Sequence, residues 1–60
     1  MYALPSEIDP EKHDRLVLDD GTAPAVLASY PFGEGRWAVE IPGQIVQLDA
    51  DKKVRIQRMA

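Results

Sequence analysis

Turn-forming pairs fall so often along this chain that no long helix fits between them. Asp20-Gly21, the Pro31-Phe32-Gly33-Glu34-Gly35 stretch, Pro42-Gly43 and Asp49-Ala50-Asp51-Lys52 cut the sequence after residue 14 into short segments. Asp-Gly meets the φ > 0 demand of a tight hairpin turn. Pro-Gly sets the first central φ with proline and leaves the positive one to glycine. The segments between these turns are apolar and rich in β-branched residues, which predicts an antiparallel meander.

Arg36-Trp37-Ala38-Val39-Glu40-Ile41 shows the period most clearly. Trp37, Val39 and Ile41 fall on one face and Arg36, Ala38 and Glu40 on the other, as a half-buried strand requires. Strands are also expected at 15–19, 22–30, 44–48 and 53–59. Pro24 cannot donate a ladder hydrogen bond, so the start of the 22–30 strand belongs at an edge. A flat sheet of five such strands would leave its apolar face wet and both edges open. Curling it into a small five-stranded antiparallel SH3-like barrel buries that face. The expected core is Trp37, Val39, Ile41, Val46, Leu48, Val54 and Ile56, completed by Leu16, Leu18 and Val26; an open sheet that dimerises is the second architecture.

Residues 1–13 have no apolar period and read as a flexible acidic arm ahead of a barrel domain at 14–60. Within the arm, Asp9-Pro10-Glu11-Lys12 predicts one helical turn, with Asp9 capping free N–H groups and Pro10 at the first position. The chain of 60 residues has no cysteine. Disulfides therefore cannot support so small a core, and His13, the single histidine, is too little for a metal site. Self-association remains as a source of stability.

Hydrophobic residues make up 45% of the chain, too many for a disordered segment. No apolar run approaches the roughly 18–20 residues of a membrane span, and no secretory signal is evident, so a cytoplasmic protein is expected. Net charge is −3 and unevenly placed. Acidic residues dominate the first third, whereas Lys52, Lys53, Arg55 and Arg58 cluster near the end, so the two ends should attract one another.

Few residues suggest chemistry. Asp19-Asp20 and Asp49/Asp51 sit beside turns, where aspartate bonds nearby backbone N–H groups, and that explains them without a reaction. Ser6 and Ser29 lack a nucleophile-elbow context, and His13 lies in the charged stretch Lys12-His13-Asp14. Lys52-Lys53 follows Asp49 and Asp51 where a calcium loop would need further oxygen ligands. Gly33-Glu34-Gly35 leads into a strand and carries an acid, unlike a phosphate loop. No catalytic residue, cofactor or metal is expected.

Two binding surfaces stand out. Tyr30, Phe32 and Trp37 bracket one loop, and aromatics on a rigid scaffold bury much area with few rotors to freeze. The contrasting reading has Phe32 folding back as a lid on the core. Lys52, Lys53, Arg55 and Arg58 cluster on the last hairpin and could meet nucleic acid, although Arg58 falls on the face opposite Lys53 and Arg55 and the acidic total opposes it. Val46-Gln47-Leu48-Asp49 resembles, over three residues, the Val-Gln-Ile-Tyr strand of the plasmid-borne type II dihydrofolate reductases, SH3-like barrels that tetramerise around a pore. That resemblance implies a substrate-lining place for Gln47; Asp49 departs from it where the family has tyrosine. The expectation is a non-catalytic interaction module, accessory or regulatory, that docks a protein partner or copies of itself. The alternatives are a nucleic-acid-binding barrel and an oligomeric enzyme with its site between chains.

Overall fold

A computed structural model describes residues 1–58. Six strands form: β1 (Tyr2–Ala3), β2 (Arg15–Leu16), β3 (Ala28–Pro31), β4 (Arg36–Ile41), β5 (Gln44–Asp49) and β6 (Val54–Gln57). They make two antiparallel three-stranded sheets, ordered β1-β6-β2 and β3-β4-β5. The expected closed barrel of five strands is not what forms, since neither sheet closes.

The opening lies between β5 and β6: the expected hairpin across Asp49–Lys52 does not pair, because β6 pairs with β1 and β2 instead. The 22–30 segment also differs from the expected continuous strand. Only Ala28–Pro31 is a strand there. Upstream, Ala25 bridges Arg15, with Leu16 N–H donating to Pro24 O and Val26 N–H to Asp14 O. The chain then turns a corner at exposed Leu27, whose N–H donates to Glu40 O at 2.7 Å. One segment thus touches the first sheet with its front half and joins the second with its rear. Pro24, with no N–H to give, keeps the front half from becoming a full ladder strand. The last strand, expected over 53–59, spans Val54–Gln57, and residue 59 lies outside the described residues.

β4 and β5 are joined by the two-residue turn Pro42-Gly43, which sets the register Ile41↔Gln44 and onward to Arg36↔Asp49. Gly43 takes φ +87°, the value that turn needs from its second central residue. In this register Trp37 faces Leu48 and Val39 faces Val46, so the alternation read in the sequence becomes one continuous inner face.

That inner face packs on Leu16 and Ile56, paired across β2 and β6. Leu16, Val26, Val39, Ile41 and Ile56 are buried, and Leu18, Trp37, Val46, Leu48 and Val54 pack against them half-buried. Every expected core residue belongs to this cluster, and Ala3 and Ile8 join it from the first thirteen residues. β1 pairs with β6, the Met1 ammonium donates to Ile56 O at 3.1 Å, and Pro5, the first residue of the 3₁₀ turn Pro5–Glu7, is buried. The Asp9-Pro10 turn forms as a 3₁₀ turn (Pro10–Lys12), with the Asp9 carboxylate accepting from Glu11 N–H at 2.9 Å.

The attraction between the chain ends takes a specific form. Asp14 is fully buried, and its carboxylate receives a two-pronged grip from Arg58, Nε to Oδ1 at 2.7 Å and Nη2 to Oδ2 at 2.8 Å. Asp9 N–H adds a third bond to Oδ2 at 2.9 Å. The Arg58 hydrogen bond outweighs the cost of burial and holds the Asp14 carboxyl below the usual aspartate value. Arg58 also donates to Glu7 O at 3.2 Å, tying the carboxyl end to both turns of the first thirteen residues.

Candidate functional site

Among the described residues no three His, Cys, Asp or Glu side chains gather as a metal site, and no helix is long and apolar enough to cross a membrane. In each acidic pair one aspartate has a partner. Asp20 accepts from both the backbone N–H and the hydroxyl of Thr22, at 3.0 and 2.6 Å, and these bonds lower its pKa. Asp49 takes Arg36 at 3.1 Å and Lys52 at 3.5 Å. His13 is exposed and caps its 3₁₀ turn in a left-handed conformation, φ 60°.

Whereas Tyr2 is exposed on the other sheet, two of the exposed large apolar side chains, Phe32 and Ile45, lie on the outer face of β3-β4-β5. Register places Tyr30, Ala38 and Gln47 in one row across it, and Ala28, Glu40 and Ile45 in the next. Ala38 has no accessible surface, because its short methyl lies between the longer Tyr30 and Gln47 side chains of the flanking strands. Glu40 lies diagonally across the ladder from Tyr30, and hydrogen bonding to that carboxylate raises the phenol above its ordinary pKa. Ile45 is 57% exposed and Phe32 49% exposed. Phe32 N–H donates to Arg36 O at 3.1 Å, continuing the β3–β4 ladder by one residue, so alternation puts its side chain on the same side as Tyr30.

Trp37 is placed elsewhere. It lies opposite Pro31 on the inner face, and its indole N–H donates to Ser29 Oγ at 2.6 Å. The structure therefore puts Tyr30, Phe32 and Ile45 on one face of the sheet, with Phe32 and Ile45 at opposite corners of it, and Trp37 on the other face. Ile45 carries no sequence signal of its own: it is one apolar residue in Gln44-Ile45-Val46, and its exposure follows from the register with β4.

The basic residues are also dispersed. Arg58 is committed to Asp14 and Lys52 to Asp49, while Lys53 and Arg55 remain exposed. Arg55 sits opposite Tyr2 on the outer face of the first sheet. Gln47, singled out by the short reductase resemblance, is exposed on β5, the outermost strand of its sheet, and faces Ala38.

Beneath that strand the two sheets part. A cleft of about 330 Å³ opens between β5 and the β2–β6 side, with Leu18, Val46, Leu48 and Val54 on its walls. No protein-family model matches the chain, and no curated protein or solved structure is significantly similar to it.

Proposed function

We propose that the protein is a non-catalytic interaction module, an accessory or regulatory protein that docks a protein partner on the outer face of β3-β4-β5. The observation that carries this reading is that exposed Phe32 and Ile45 share one face of the sheet with Tyr30. Aromatics lose little entropy on binding because they have few rotors to freeze, and apolar side chains on the same face extend the area that a partner can cover. Glu40 and the Arg36–Asp49 pair supply a polar rim. The strand orders β1-β6-β2 and β3-β4-β5, bridged by the corner at Leu27, support reading the scaffold as an opened SH3-like barrel.

Affinity capture of the tagged chain from its native cells, after nuclease treatment, tests this. A protein that survives nuclease and is lost with Phe32→Ala, at unchanged melting temperature, is the expected result. Material lost on nuclease treatment would instead favour Lys53 and Arg55 as a nucleic-acid contact. A Phe32→Ala variant that melts several degrees lower would make Phe32 a packing residue and remove it from the surface.

A further inference from the structure

Sheet edges attract other strands, and three of the four edges here are blunted. β1 is only two residues long. β2 is covered by the Arg15–Ala25 bridge and its two flanking hydrogen bonds. β3 ends in Pro31, which has no N–H to offer, and Ser29 Oγ on the same strand donates to Pro5 O at 3.4 Å in the adjoining 3₁₀ turn.

β5 is different. It runs for six residues, Gln44-Ile45-Val46-Gln47-Leu48-Asp49, without proline, glycine or lysine. The two-residue turn makes Ile41 and Gln44 a hydrogen-bonded pair, so Gln44, Val46 and Leu48 bond to β4 and the intervening residues turn outward. The N–H and C=O groups of Ile45 and Gln47 thus point from the open edge, and no described residue bonds to them. Directly inside that edge lie Val46 and Leu48, half-buried on the wall of the cleft.

We propose that this edge joins two copies of the chain, with β5 pairing antiparallel to β5 of the partner about a two-fold axis at Gln47. The strand is complementary to itself in that register. Outward-bonding residues meet outward-bonding residues, Gln47 against its own copy and Ile45 against Asp49. On the inner face Val46 meets Leu48 twice, which extends apolar cover across the mouth of both clefts. Asp49 brings no uncompensated charge, since Arg36 and Lys52 already flank it. The self-pairing uses the strand edge, whereas the docking face uses side chains above the sheet, so either can fail without the other. A contact through one strand belongs to the small, weak class of interfaces, and it gives a 60-residue chain without disulfides a further source of stability.

Sedimentation over a concentration series into the millimolar range, joined to residue-resolved amide exchange, tests the pairing. The expected result is a mass rising from 6.7 kDa towards twice that value. The Ile45 and Gln47 amides should gain protection in step with the dimer. Gln47→Pro removes an N–H that β4 does not use, and it should weaken the dimer by about tenfold or more with an unchanged circular dichroism spectrum. Phe32→Ala should leave the dimer intact. A chain that stays at 6.7 kDa throughout overturns the proposal. So does a dimer in which the Ile45 and Gln47 amides exchange freely, a result that needs no variant to fold.

Discussion

Replacing Asp14 by alanine removes the acceptor of three hydrogen bonds at once, two from the Arg58 guanidinium and one from Asp9 N–H. Arg58 keeps a side-chain exposure of 30% and can turn to water, so the variant does not strand a buried cation. The loss is then the net worth of one charge-assisted grip and one backbone bond, about 3 kcal/mol in all. Domains hold roughly 0.05–0.15 kcal/mol per residue, so this takes a large share of what so short a chain possesses. It corresponds to a melting temperature lower by about 12–24 °C at neutral pH.

Acid supplies the second arm of that experiment. Asp14 is held below the ordinary aspartate value of 3.8, chiefly by its hydrogen bonds to Arg58. A depressed folded-state pKa stabilises the fold at any pH above the unfolded value and ceases to do so as pH falls through the folded one. The gap between parent and Asp14→Ala should therefore stay constant from pH 7 to near 5 and narrow below 3.8. Thermal unfolding followed by circular dichroism across that range reads both effects. A variant melting within two or three degrees of the parent at pH 7, or a gap that does not narrow in acid, would refute the assigned role of the pair.

Two other substitutions probe the sheet. Ser29→Ala deprives the Trp37 indole N–H of its 2.6 Å acceptor and should cost about 1–2 kcal/mol, with a shifted indole proton resonance; an unmoved resonance would deny the bond. Gly43→Ala should cost about 1 kcal/mol through its positive φ alone, because nothing lies within 4 Å of the added methyl. Urea midpoints measure that loss, and D-alanine at position 43, which prefers the same φ, should restore stability.

Much of the local architecture was legible in the residues. The period of Arg36-Trp37-Ala38-Val39-Glu40-Ile41 gives β4 and its inner face, and Pro42-Gly43 gives the hairpin that aligns β5 with it. Asp9-Pro10 gives a capped turn. These features depend on neighbours a few residues apart, where backbone sterics and alternation act directly. The candidate face was half legible: Tyr30 and Phe32 stand out as aromatics in and beside a loop, but sorting them from Trp37 requires the register of β3 against β4.

Tertiary structure alone decided the rest. No period marks Asp14 as buried; its burial follows when Arg58, 44 residues away, is brought beside it by β6. Likewise Ala3 and Ile8 enter the core because β1 docks on β6, in a segment whose own sequence carries no strand pattern. Ala38 is sealed by side chains from two other strands, and β5 is left open because β6, the strand that follows it, pairs with β1 and β2 instead of closing the barrel. Periodicity says which side of a strand is apolar. Which strands become neighbours, and which edge is left without one, depends on contacts between distant residues that form only when the whole chain has packed.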